Sequence, residues 1–141
     1  MSSNRPNTIS ILRRVDAGRS QTRSQLTNDV TLNASVPALL QGARSATTTI
    51  EVEGKEYLQD ALLIVDGLSP SAYRGLAPRD TVVVKGVTYT VLPNRQGAFP
   101  DLAANDVVID ETGQRSLVLA VNPYLMSRTL QAQLARGKAW T

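Results

Sequence analysis

The chain is 141 residues long, 42% apolar but only 4% aromatic, which suits one small domain with arms and a core of Val, Leu, Ile and Ala rather than rings. It contains no Cys and no His, so disulfides, thiol nucleophiles, imidazole acid–base chemistry and nearly all zinc and copper sites are excluded. The net charge of +3 conceals a division. Residues 1–45 carry six Arg against Asp16 and Asp29, residues 46–111 carry ten acidic against five basic side chains, and residues 112–141 carry four basic and no acidic ones. An acidic centre between basic extremities fits solvated or partner-facing arms better than a reader of nucleic-acid sequence. Apolar runs such as 61–65 fall far short of the roughly 18 to 20 residues of a membrane helix, and the N-terminus is polar and lacks a signal-peptide core. A soluble, unsecreted protein without membrane contact is expected.

Residues 1–7 are rich in Ser, Asn and Pro and read as an unstructured lead or a segment draped over a neighbour. Alternation of Ile9 and Ile11 makes 8–14 a first strand. Residues 16–33 hold Gly18, many Ser, Thr, Gln and Arg, and little periodicity, which predicts a long loop. An irregular stretch of that length is uncommon inside a free-standing domain and points to function or to ordering by a partner. Residues 1–33 are therefore read as a strand followed by an Arg-rich arm.

Residues 34–121 read as a β-barrel core. Extended pieces start at 36–41, and Thr48, Ile50 and Val52 alternate with Thr49 and Glu51 in a half-buried strand at 47–52 that ends in a turn at Gly54. A buried strand follows at 57–65, stopped by Asp66 and Gly67. Ser69 as N-cap and Pro70 at the first helical position predict a short helix over 69–73. Two β-branched runs around Lys85 and Gly86 make 81–92 a tight hairpin, since Gly86 can adopt the positive φ that a two-residue turn demands. A second hairpin pairs 106–110 with 115–121 across 111–114. The loop at 93–105 holds Phe99, the only phenylalanine, either a plug over the core or a contact for another subunit.

Beyond Val121 the apolar spacing becomes four, through Met126, Leu130 and Leu134, and predicts a helix that starts near Pro123 and stops at Gly137. This third segment, 122–141, would close the barrel end. Trp140, the only tryptophan, would dock on another chain, and the barrel would fold without the segment. Six to eight short strands give an all-β fold, a small barrel with long loops, an N-terminal arm and a short C-terminal helix and tail. Alternation assigns Leu39, Ile50, Val52, Leu63, Val65, Val82, Val84, Tyr89, Val91, Val108, Leu117 and Leu119 to its interior.

Chemistry-bearing patterns are sparse. No phosphate-binding glycine loop and no Gly-x-Ser-x-Gly elbow occurs. Glu51 and Glu53 would share a strand face, and Asp110 and Glu111 sit at a hairpin turn, but neither pair has the ligand spacing of a calcium loop. Without His, a Ser–Lys device would have to rely on Lys55, Lys85 or Lys138, and Lys85 is better explained as a turn residue. No enzyme, metal or cofactor is expected. Basic strands interleaved with stacking aromatics are missing, whereas contact with phosphates through Arg13, Arg14, Arg19 and Arg23 needs only placed positive charge.

The run LAPRDTVVVKGVTYTV at 76–91 resembles the small head–tail connector proteins of tailed bacteriophages, especially the head-closure or stopper family, in which an Arg-Asp pair leads into a strand, a Gly turn and a Tyr-x-Val strand. The likeness extends loosely to VPALLQ at 36–41, TTTIEVEG at 47–54 and ALLIVDG at 61–67; the segment after Val121 departs from it. The resemblance implies a non-catalytic β-barrel subunit of a ring in the virion neck, assembled in the host cytoplasm between portal or adaptor and tail, with loops that project into the DNA channel or grip neighbours. Its partners would be copies of itself, portal, adaptor and tail proteins, and packaged DNA without sequence preference. The alternatives are a tail-terminator or other tail ring protein and a small-barrel nucleic-acid-binding protein. The candidate partner or channel contacts are Arg13, Arg14, Arg19, Arg23, Phe99, Tyr124, Leu125, Arg128, Arg136 and Trp140.

Overall fold

A computed structural model of the chain describes residues 5–19, 25–42 and 48–137, with 16–19 and 25–28 given by backbone alone. The strands are β1 (Asn7–Arg19), β2 (Gln25–Gly42), β3 (Thr49–Val52), β4 (Lys55–Leu58), β5 (Ala61–Asp66), β6 (Thr81–Val84), β7 (Val87–Val91), β8 (Ala98–Pro100), β9 (Val107–Ile109), β10 (Arg115–Tyr124) and β11 (Thr129–Arg136). A single 3₁₀ turn, Pro70–Tyr73, stands where the short helix is expected, with Pro at its start. The architecture is all-β. Six strands close an antiparallel barrel in the order β1-β2-β5-β11-β10-β9, beside a β3-β4 hairpin and a three-stranded β6-β7-β8 sheet.

The barrel core follows strict alternation on β5 and most of β11. Ala61, Leu63 and Val65 point inward from β5, as do Leu130, Ala132 and Leu134 from β11. Together with Ile9, Ile11, Val36, Ala38, Val108 and Val118 they form one continuous apolar cluster. β10 is buried on both faces, Val118 toward the barrel interior and Leu117 and Leu119 toward the outer hairpin, with a register shift between Val118 and Ala120. Leu117 and Leu119 join Val52, Val107 and Ala135 in a second cluster, against which Ile50 and Tyr57 of the β3-β4 hairpin pack. Both short hairpins turn on paired positive φ values, Glu53 with Gly54 and Lys85 with Gly86, the geometry that matches strand twist in two-residue turns.

Three expectations need correction. The helix after Pro123 is absent: the segment completes β10, turns, and returns as β11, paired to β10 on one side and β5 on the other. Leu130 and Leu134 are four apart in either geometry, but Ala132 between them is also fully buried, which is the signature of a strand, while Met126 is 100% exposed at the turn. Of the long loop expected at 16–33, residues 16–19 and 25–33 are instead strand, paired across β1 and β2, and 20–24 lie outside the described residues. The strand at 57–65 is two, broken at Gln59 and Asp60, where the chain passes from the outer hairpin into the barrel and Asp60 N–H donates to the Leu134 carbonyl at 3.0 Å. β2 runs through residues 33 and 34, and β10 through 121 and 122, without interruption. Both flanking segments are thus staves of the central sheet.

Of the expected core, Val52, Leu63, Val65, Val91, Val108, Leu117 and Leu119 are buried. Ile50, Val82, Val84 and Tyr89 are half-buried, because they lie in the outer hairpin and small sheet that cover the barrel rather than line it. Leu39 is also half-buried, since Val36 and Ala38 take the inward phase of β2 and a one-residue offset reverses every side chain.

Phe99, 2% exposed, lies on β8 inside the main cluster, where its ring plugs the core. Its ring is held between two glycines: a Cβ on Gly67 would stand 2.3 Å from Phe99 Cε1, and one on Gly97 3.0 Å from Cε2. Gly67→Ala is expected to cost about 1–3 kcal/mol by overpacking, read as a lowered urea midpoint with an unchanged slope.

Candidate functional site

The β1-β2 hairpin has two parts with different surroundings. Near the barrel, Ser10, Ile11 and Leu12 pair with β9, and the stretch from Ala38 to Gly42 pairs with β5. Farther out, Arg13 to Arg19 pairs only with its own partner strand, down to Gln25, so this part is a two-stranded arm. Val15 and Val30 are exposed on it, and the cross-strand partners Arg14 and Asp29 form a 3.1 Å ion pair. Register shifts between Ile9, Ile11 and Leu12, with Ser35 at φ 60°, mark where the hairpin leaves the barrel wall.

Arg13 anchors the root of that arm. Its Nε and Nη2 donate to the two carboxylate oxygens of Asp106, both at 2.9 Å, and Nη1 and Nη2 reach Asp101 at 3.2 Å. Asp106 is 2% exposed and also accepts the Ala103 N–H at 2.8 Å. It sits just before β9, in a turn where Asn105 adopts φ 74°, a conformation asparagine tolerates. The hydrogen bonds to Asp106 hold the guanidinium pKa above its ordinary value, against the opposing effect of partial burial, with further support from the charges of Asp106 and Asp101. Fork-to-fork geometry of this kind fixes direction as well as position. The arm therefore leaves the barrel at a set angle.

Beside this anchor a half-open cavity of about 160 Å³ lies between the barrel and β8. Leu92, Phe99, Leu102, Val121, Pro123 and Leu130 supply its apolar walls, and Asp101 and Thr90 also line it. The turn joining β10 to β11 borders it: Leu125 Cδ2 approaches Gly97, while Tyr124, Met126 and Arg128 are exposed, Arg128 at φ 55°.

At the other end of β11, Arg136 lies against Gly42 and 3.9 Å from Asp60, whose Oδ1 also accepts the Arg136 N–H at 2.7 Å. The nearby turn between β9 and β10 fastens the start of β1, since Glu111 accepts Asn7 Nδ2 at 2.9 Å and the Thr8 N–H at 3.0 Å. Those two bonds pull the Glu111 pKa below its ordinary 4.5. Burial pushes Asp110 up, but donors from Thr112, Gln114 and Gly113 outweigh it and leave that carboxyl below 3.8. Carboxyls lowered in the folded state stabilise fully above their ordinary values and lose that contribution as pH falls through the lowered ones. Glu111→Gln is expected to lower the urea midpoint at about pH 6, and the difference from the parent chain to shrink as pH falls below the ordinary carboxylate range, as read from paired unfolding curves.

The structure separates the ten expected contacts. Arg13 is engaged inside the chain and is not a free phosphate ligand. Phe99 is a cavity wall, with Leu125 beside it and Tyr124 at the same barrel end. Arg136 stands at the opposite end; the side chain of Arg19 and all of Arg23 and Trp140 lie outside the described residues. Glu53 falls in a turn rather than on the strand face with Glu51, and among the described residues no three acidic side chains gather to hold a metal. Asp101 and Asp106 escaped the sequence reading because nothing in PDLAANDV at 100–107 distinguishes an ion-pairing carboxylate from a turn residue. No helix among the described residues is long and apolar enough to cross a membrane. Comparison with protein-family models, curated proteins and solved structures finds no match.

Proposed function

We propose that the chain is a structural subunit of a tailed-phage neck, one copy in a ring that joins the DNA-filled head to the tail and surrounds the DNA channel. In this reading it has no catalytic role, and its partners are its own copies, the portal or adaptor on one side and tail proteins on the other, in a virion assembled in the host cytoplasm. The observation that carries the reading is the anchored arm. A two-stranded ribbon with exposed Val15 and Val30 and an outer half unpaired to any barrel strand is a poor investment for a lone molecule, yet its root is fixed by a buried carboxylate. An arm aimed in this way suits a neighbour or a channel at a defined place. The resemblance at 76–91 supplies the particle. A tail-terminator ring would use the same features at a different position.

The test is complementation of a phage lacking this chain. Without it, DNA-filled heads and separate tails should accumulate; the full chain should restore joined particles, and a chain with the arm shortened to a turn after Leu12 should not. Joined particles in its absence would overturn the reading. A salt-sensitive affinity of the isolated chain for DNA, with no ring and no particle defect, would favour the small nucleic-acid-binding barrel instead.

A further inference from the structure

Positive charge is expected in the arms, yet the fold gathers three arginines from the acidic middle of the sequence. Arg74 follows the 3₁₀ turn, Arg79 precedes β6 and Arg95 lies between β7 and β8, and all three are exposed. Hydrogen bonds tie their turns together. Tyr73 Oη donates to the Arg95 carbonyl at 3.0 Å, and Arg95 Nη2 donates to the Leu76 carbonyl at 2.6 Å. The Arg79 N–H donates to the carbonyl of Val91 at 2.8 Å, at the strand end from which the turn holding Arg95 departs.

Residues 69–80 and 92–97, which make up these turns, contain one carboxylate, Asp80, and its Oδ2 accepts the Ala77 N–H at 2.9 Å. Ion pairs among the described residues use Arg5, Arg13, Arg14 and Arg136 and none of these three. The backbone adds a second observation. Arg79 stands at φ 70° and Arg95 at φ 59°, in the left-handed region that Gly and Asn enter more readily. Turn propensity argues against arginine at both positions, so charge is what the residue supplies there.

Guanidinium forks match phosphate oxygens in pairs. The aromatic residue of these turns, Tyr73, is 5% exposed with its hydroxyl engaged, so no ring is presented for a base to stack on. Contact then stops at the sugar–phosphate chain, which carries no sequence information.

We infer that Arg74, Arg79 and Arg95 bind the phosphate backbone of double-stranded DNA, and that this face of the small sheet, rather than the engaged Arg13, is the side of the subunit turned to DNA. The inference rests on the neck reading for the packaged DNA that is its ligand in the particle; the contact itself is measurable on the isolated chain.

Binding of the full chain to a labelled duplex of about 20 base pairs, followed by anisotropy over a salt series, counts the phosphates neutralised, because log K falls by about 0.9 per phosphate for each tenfold rise in salt. Changing Arg74, Arg79 and Arg95 together to Gln should make that slope shallower by about 2 to 3 and weaken binding more than about tenfold at low salt. The same three changed to Lys should keep the parent's slope, since the charge is retained. Arg115→Gln, at the opposite end of β10 from the turn to β11, should leave it unchanged. Arg79→Asn should lower the slope by about 1 without lowering Tm, because asparagine tolerates that backbone. Two duplexes of unrelated sequence should bind equally.

A triple Gln variant with the parent's slope would overturn the inference, as would a parent chain that binds no duplex at about 50 mM salt. So would an unchanged slope with lost association between copies, the result expected if these arginines meet a neighbour's hairpin at Glu51 and its cross-strand partner Glu56. The neck reading falls separately, on particles that join without the chain, whatever the duplex measures.

Discussion

A chain ending after Val121 will show no cooperative thermal transition by circular dichroism. β11 stands between β5 and β10 in the closed barrel, and its Leu130, Ala132, Leu134 and Ala135 are all buried. Removing it strips the interior partners from Leu63, Val65 and Val118 and leaves two internal strands with unpaired edges. Losing two buried leucines alone costs about 4–10 kcal/mol at the usual 2–5 each, comparable to the entire stability of a small domain. The matching control, a chain ending at Gly137, keeps every stave and should melt like the parent. A cooperative transition in the shorter chain would mean that β11 is an accessory strand rather than a stave.

Asp106→Ala should cost about 3–5 kcal/mol, because it leaves Arg13 part-buried beside a vanished partner and frees the Ala103 N–H. The loss should be visible twice: as a lowered urea midpoint, and as faster hydrogen exchange at 13–15 and 29–31 than the global change explains. Asp101→Ala removes only the exposed half of the clamp and should cost about 1 kcal/mol or less. The double variant Arg13→Met, Asp106→Leu should recover most of the lost stability, since a buried ion pair is rarely worth more than well-packed apolar side chains of similar volume. What it should not recover is the arm's direction, because a methionine contact has no fork geometry. Stability and particle joining should therefore part company in that variant.

These variants also mark where the sequence was informative. The hairpin at Lys85 and Gly86 was legible because β-branched residues flank a two-residue turn that only a few dipeptides make well. The strand ending in Ala61 to Val65 was legible from its apolar run. β11 was misread because Leu130 and Leu134 satisfy both periods, and only the small Ala132 separates them. The arm was illegible for a different reason: beyond Leu12 its strands pair only with each other, and the apolar alternation that reveals a strand is imposed by a core face that such a ribbon does not require. The cavity could not be foreseen either, since its walls come from β7, β8, β10 and β11 and the loops beside them.

The barrel closes through its shortest stave. β9 is three residues long and meets β1 only at Ser10, Ile11 and Leu12, so this contact joins segments far apart in sequence. During synthesis the first two strands must wait, apolar side chains uncovered, until β5, β9, β10 and β11 have emerged from the ribosome. Closure of this barrel is therefore late and cooperative, because β1 and β5 each lack a flanking stave until β9 and β11 are in place.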